Sequence, residues 1–225
     1  MIVIKRGKEP NSLLKFRKEN PDADYESDMP TEVLKDIREQ MWEEQRCLCA
    51  YCMKKIEAPS VVRIEHCKPR HPQDEQEHDK KATLDFKWML GVCYGNSLVR
   101  GVKPEDKTCD AHRGNTELTV NPFDEMSVRK IKYKADGSIY SEDAEINKDV
   151  TETLNLNCQA LSLPQTRKNV LMAEKNRIMR KCKGKSQDAF MRELERTYTS
   201  LVQERNLTPY CGIIISWLES KLKIS

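Results

Sequence analysis

Cys49-Ala50-Tyr51-Cys52 opens a segment that continues through Ile64-Glu65-His66-Cys67-Lys68-Pro69-Arg70, reaches Cys93, and closes on Cys109-Asp110-Ala111-His112-Arg113. A two-residue gap between cysteines lets one tight turn aim both thiolates at a single ion, as in a tetrahedral zinc knuckle. Two more thiolates complete such a site. Cys93 and Cys109 are the only later cysteines of the segment outside the Glu-His motif. Cys47 and His112 compete with them by position. The spacing predicts one zinc on Cys49, Cys52, Cys93 and Cys109, joining stretches whose intervening loops cannot supply a core.

Between the cysteine pairs stands a carboxylate next to a histidine, Glu65-His66. Carboxylate oxygens suit a hard cation such as Mg²⁺ or Mn²⁺. A neutral imidazole can take a proton from water. Enclosed by four candidate zinc ligands, the pair points to metal-dependent phosphodiester hydrolysis, with His66 as general base. An unperturbed histidine would give activity that falls with pH near ~6.5. A zinc-stapled adaptor that binds nucleic acid or protein without chemistry is the competing reading.

The segment resembles the HNH endonuclease family, whose pattern is Cys-x-x-Cys, a strand, [Asp/Glu]-His-x-x-Pro, a loop with a central Asn, and Cys-[His/Asn]-x-x-Lys. Cys49/Cys52 and Glu65-His66-x-x-Pro69 match the first half, and Cys109-Asp110-x-x-Arg113 the second. An insertion, residues 94–108, separates Cys93 from Cys109, and Trp88 stands where the Asn would be. The resemblance implies a ββα-metal (HNH, or His-Me finger) module. It implies Glu65 and Asp110 as ligands of one Mg²⁺ or Mn²⁺, His66 as base, and Arg113 beside the reacting phosphate. Lys68 and Arg70 would contact nucleic acid. The longer pattern, with Asn121-Pro122 and Leu154-Asn155-Leu156-Asn157 before the last helices, resembles the HNH subunit of Septu-type anti-phage systems, also found with some retrons. That implies an ABC/SMC-like ATPase as companion and damage to DNA or RNA during infection.

Composition sets limits. The 225 residues suffice for a real core. Lys and Arg number 39 against 36 acids, net +3, so a nucleic-acid surface must be a local patch. Nine cysteines with this spacing and no export signal favour zinc over disulfides and a cytoplasmic protein. No apolar run approaches a membrane span.

The fold class expected is α+β: residues 1–46 a strand and bracing helices, 47–125 the zinc-stapled module, 126–225 a hairpin and helical docking region. Residues 2–4 are β-branched and predict a short strand. A short helix is predicted around Leu13–Lys18. Pro30 opens another, with Val33, Leu34, Ile37 and Met41 at helical spacing, running into the knuckle. Val61–Ile64 predicts a strand ending at the Glu-His pair. Leu84–Val92 reads as a buried helix ending at Gly91, Gly95–Thr108 as an exposed loop, and His71 and His78 as solvated loop residues. Asp136-Gly137 turns a hairpin over 129–140. Helical spacing then recurs three times after residue 150. Trp217 and the Ile213-Ile214-Ile215 run are candidate anchors for a partner protein.

Overall fold

A computed structural model describes residues 1–68, 70, 80–203 and 207–224, apart from the side chains of 80 and 81. Pro69, His71 and His78 lie outside the described residues. The chain is α+β: helices around two small antiparallel sheets. α1 (Asn11–Glu19) and α2 (Thr31–Glu44) form where expected. Val33, Ile37 and Met41 recur on one face of α2 and are buried, so the 3.6-residue spacing selects the core side.

α2 delivers the chain to the knuckle. At its C-cap, Gln45 is buried, its Nε2 donating to the carbonyls of Leu48 (2.9 Å) and Gly91 (2.6 Å). Its Oε1 accepts from the Gly91 N–H at 2.7 Å. One amide side chain thus clamps the helix end, the knuckle and the strand through Gly91 together, and leaves no buried polar atom of its own unmatched.

β1 (Arg63–His66) contains the Glu-His pair instead of stopping before it. Pro59–Val61 forms a 3₁₀ turn and Val61 is 44% exposed. The stretch read as a buried helix, Leu84–Val92, is a 3₁₀ turn followed by β2 (Met89–Val92). All four β2 residues are buried, and such a run carries no period to separate strand from helix. Pairing with β1 decides it: Arg63 opposes Val92, and His66 opposes Met89. Residues 2–4 form no strand; the Ile4 N–H donates to the Pro122 carbonyl (2.9 Å), and Ile2, Val3 and Ile4 pack into the cores.

Three short helices flank this sheet in sequence: α3 (Lys80–Thr83) before β2, then α4 (Asp110–Arg113) and α5 (Glu125–Arg129) after it. β3 (Ile131–Tyr133) and β4 (Ile139–Ser141) make the expected hairpin. Unexpected from periodicity is α6 (Ala144–Lys148), which runs into a π-helical turn over Asp149–Thr153. Val128, Ile131, Ile139, Ile146, Val150, Leu154 and Leu156 share one core with Ile37, Met41, Met89 and Leu90. The core therefore crosses the boundary expected at 125/126.

α7 (Leu163–Cys182), α8 (Gln187–Gln203) and α9 (Gly212–Leu222) form a second core with Leu48 and Met53 of the knuckle turn. Ile213 and Ile214 are 1% and 2% exposed, so two of the candidate partner anchors pack within the chain; Ile215 and Trp217 pack partly against the same core. Arg167 is buried and has no carboxylate partner among the described residues. It donates to the carbonyls of Gly137 (2.7 Å) and Leu156 (2.8 Å) and to Asn157 Oδ1 (3.0 Å), tying the hairpin turn to α7. Among the described residues no helix is long and apolar enough to cross a membrane.

Candidate metal centre and carboxylate–histidine pocket

The sulfurs of Cys49, Cys52, Cys93 and Cys109 gather within 4.8 Å of one another. Cys49–Cys109 is 3.9 Å, Cys52–Cys93 3.7 Å and Cys93–Cys109 3.8 Å. Four thiolates at a Zn–S distance of about 2.3 Å stand about 3.8 Å apart in a tetrahedron. The cluster can therefore hold a metal ion such as zinc with little rearrangement. Cys47 and His112, the competing ligands, are outside it; His112 Nδ1 bonds the Thr153 carbonyl at 3.0 Å.

Local backbone builds the cluster. The Met53 N–H donates to the Cys49 carbonyl (3.0 Å) and the Lys54 N–H to Cys52 Sγ (3.4 Å), closing the first turn. The second turn needs Gly95. It sits at φ +53°, and a Cβ there would lie 2.0 Å from the Thr108 carbonyl oxygen. Cys109 has φ 56°, in a region side-chain-bearing residues rarely enter. Such strain survives only where the surroundings over-determine it; the Cys109 N–H is held by the Leu154 carbonyl at 2.9 Å. The close contacts to Cys49, Cys52 and Cys93, and then burial, push the Cys109 thiol well above its ordinary pKa. A cation among the sulfurs reverses that balance by stabilising thiolates.

Gly95→Ala is therefore expected to destabilise the protein by more than about 1 kcal/mol, because its φ and the Thr108 carbonyl both oppose a Cβ. It should also speed zinc loss to a chelator. Denaturant midpoints and a colorimetric zinc-release assay check this. An unchanged midpoint and release rate would show that the second turn does not need glycine.

The Glu-His pair faces a different place. Glu65, His66, Asp110, Arg113, Arg63 and Arg70 are among the residues lining a cavity of about 310 Å³. β1 supplies Arg63, Glu65 and His66, and α4 supplies Asp110 and Arg113. The carboxyl groups of Glu65 and Asp110 are within hydrogen-bonding reach. Burial first, with Asp110 adding to it against the opposing Arg113 charge, raises Glu65 to about 8. Two adjoining buried carboxyls do not readily ionise together without positive charge between them.

His66 is 4% exposed, and its Nε2 lies 2.9 Å from the Thr83 carbonyl oxygen. A carbonyl can only accept, so Nε2 carries the proton and Nδ1 keeps its lone pair. The Tyr25 ring meets the imidazole edge to face, centroids 4.6 Å apart. Burial, against the Thr83 bond, lowers His66 to about 4.

The arginines are engaged. Arg113, with its side chain 1% exposed, pairs with Glu65 and donates to the carbonyls of His66 (2.8 Å), Cys67 (2.9 Å) and Thr116 (2.7 Å). The expected place beside a phosphate is thus occupied by protein acceptors. Arg63 Nε meets Asp110 Oδ2 at 2.5 Å. Arg70 lies over the Tyr25 ring at 5.2 Å and pairs with Glu26 at 2.5 Å. Lys68 rests over the ring of Trp88 at 4.6 Å.

Sequence reasoning missed Arg63, Tyr51 and Tyr25. Arg63 is two residues from Glu65 in a strand, hence on the same face, a signal that the alternation rule carries. Tyr51, between the paired cysteines, donates from its hydroxyl to Glu65 at 3.2 Å. Tyr25 has no local signal. No family model matches the chain, and no curated protein matches it.

Proposed function

We propose that this chain is a zinc-stapled, divalent-metal-dependent endonuclease of the HNH type. The observation that carries the reading is the joint placement of two neighbouring carboxyls, Glu65 and Asp110, with a tautomer-fixed His66 in one cavity. The order β1, β2, α4, with the zinc-type cluster beside it, fits a ββα-metal module. By the sequence resemblance, the enzyme serves an anti-phage system with an ABC/SMC-like ATPase.

Glu65 and Asp110 would hold one Mg²⁺ or Mn²⁺, which supplies Lewis-acid stabilisation for the phosphate and the departing 3′-oxygen. The donor set fits in kind: two hard oxygen donors share a buried site, where a cation would take over the positive charge that Arg113 and Arg63 give Glu65 and Asp110. His66 Nδ1 takes the proton of the attacking water as its oxygen bonds to phosphorus and the P–O3′ bond breaks. The products are a 5′-phosphate and a 3′-hydroxyl. The Thr83 carbonyl and the Tyr25 ring fix the imidazole plane. Arg113 is a positioning residue: it aims Glu65 and braces the carbonyls after it.

Incubating the purified protein with Mn²⁺ or Mg²⁺ and a panel of nucleic acids tests the reading. Cleavage leaving 5′-phosphates supports it, with loss in Glu65→Gln and Asp110→Asn. Binding without any cleavage would favour the adaptor, for which the Arg63–Asp110 and Arg113–Glu65 pairs would be permanent structure.

The pH dependence separates Glu65 from His66. His66 stays neutral down to about 4, so it does not set the acid limb near ~6.5. Glu65 must shed a proton held up to about 8 before binding a cation. The Mn²⁺ concentration for half-maximal cleavage should then rise about tenfold per unit as pH falls below 8, one proton being displaced. Mn²⁺ binding followed by electron paramagnetic resonance should show the same slope without turnover. A limb at 6.5 that ignores Mn²⁺ would return the role to an ordinary histidine.

A further inference from the structure

The loop between the last two cluster cysteines, residues 94–108, holds its apolar tip away from the core. Leu98 is 75% exposed and Val99 55%, and no other large apolar side chain among the described residues is as exposed as Leu98. Single exposed apolar residues are ordinary on a protein surface. Two in succession on a braced loop at the rim of a polar cavity are not.

The bracing is dense. The Thr108 N–H donates to the Gly95 carbonyl (3.0 Å) and Asn96 Nδ2 to the Asp106 carbonyl (3.1 Å), pinching the base of the loop. Asn155 Nδ2 donates to the carbonyls of Glu105 (2.8 Å) and Lys107 (2.9 Å) from outside. Consecutive turns, Ser97 N–H to Tyr94 and Val99 N–H to Asn96, shape the tip. The loop therefore presents Leu98 and Val99 without having to fold first.

Its charges point to the occupant. Arg100, Lys103 and Lys107 have no ion pair among the described residues, whereas the cavity's own arginines are paired with Asp110, Glu26 and Glu65. Ser97 and Lys107 also line the cavity that holds Glu65, His66 and Asp110. The loop also carries two acids, Glu105 and Asp106; its three cations outnumber them and, with the aliphatic tip, match a polyanion with an apolar interior. Proteins that bind single strands stack bases on aromatic rings. Here the loop's sole aromatic residue is Tyr94, at its base. Aliphatic wedges act differently, entering a base step of duplex DNA and partly unstacking it.

We propose that residues 97–107 form a duplex-DNA docking loop: Leu98 and Val99 wedge into a base step while Arg100, Lys103 and Lys107 bind the flanking phosphates. The proposal rests on the nuclease reading only for the position of the scissile phosphate. It makes the substrate a locally opened duplex and takes sequence reading out of the protein's contacts, since phosphate contacts carry no base information.

The test uses the full chain with its zinc, without added Mg²⁺ or Mn²⁺, and a short DNA duplex carrying 2-aminopurine at its centre. Binding at low salt with brightening of the 2-aminopurine is expected. Leu98→Ser with Val99→Ser should keep zinc and melting temperature, abolish the brightening and weaken binding about tenfold. Changing Arg100, Lys103 and Lys107 to Gln should flatten the salt dependence of binding by about 0.9 in log–log slope for each phosphate no longer neutralised.

No duplex binding, binding without brightening, tighter binding of single strands, or a Leu98/Val99 variant that behaves as the parent would each overturn the loop's role. So would self-association that disappears in that variant without any DNA binding, which would assign the tip to a second copy. The two readings fail separately. Binding with brightening but no cleavage on adding Mn²⁺ removes the nuclease and leaves the loop. Cleavage unaffected by the wedge substitutions does the reverse.

Discussion

Cys49→Ser and Cys109→Ser are each expected to release the zinc and lower the thermal midpoint by about 10 °C. Structural zinc contributes an apparent ~10–16 kcal/mol in small zinc modules. This chain has two apolar cores besides, so part of the fold remains without the ion. A loss of about 4 kcal/mol already lowers the midpoint of a domain this size by about 8–16 °C. Cys109 should be the more sensitive of the two. Its left-handed backbone, φ 56°, is held in place by the cluster and by the Leu154 carbonyl. Once the sulfur leaves the ion, the strain can relax and α4 can shift, carrying Asp110 and Arg113 with it. Cys47→Ser is the control, because Cys47 is buried outside the cluster. It should lose stability without losing zinc. Elemental analysis with differential scanning calorimetry reads both quantities. A zinc-free protein with the parent's midpoint would end the staple.

What could be read from sequence follows the range of the interactions involved. α2 and α7 to α9 are legible because apolar side chains recur every three or four residues and the helix closes its own hydrogen bonds. The β3–β4 hairpin is legible because Asp136-Gly137 supplies a turn that accepts positive φ, 88° at Gly137. Cys49 and Cys52 announce themselves through a gap set by one turn. β2 is not legible: its four buried residues become a strand because β1, more than twenty positions earlier, offers an edge. The π-helical turn after α6 has no periodic signature.

The same contrast runs through the cavity. Glu65, His66 and Asp110 are found by motif, and they do line one cavity. The behaviour of Arg113 is not in the motif. Its partners are a carboxylate 48 positions away and the carbonyls that follow it, and only the folded chain brings these together. A cationic residue near a proposed phosphate site reads as a phosphate ligand until its acceptors are known. Once they are, Arg113 is committed, while Arg100, Lys103 and Lys107 stand without an ion pair among the described residues in the insertion at 94–108, the part of the chain in which the family-like pattern is interrupted.

His66 carries the largest kinetic effect. His66→Ala is expected to lower cleavage by about 10²–10⁴, the usual cost of a positioned base. The histidine is buried, so its removal also opens a gap beside Tyr25 and removes its bond to the Thr83 carbonyl. A lost buried hydrogen bond costs about 0.5–1.5 kcal/mol. Lost activity in the alanine variant therefore has two sources, and the glutamine variant separates them. His66→Gln can keep an N–H directed at Thr83, but it has no nitrogen lone pair to accept a proton from water. Its midpoint should lie above that of His66→Ala, while its cleavage rate should be as low. Both variants should keep their zinc, because the cluster lies outside the cavity and shares none of its ligands with it. If the glutamine variant recovers both stability and rate, His66 is a positioning residue and the proton goes elsewhere. If rate stays lost while the midpoint returns, the loss belongs to the imidazole's lone pair, which is what a general base requires.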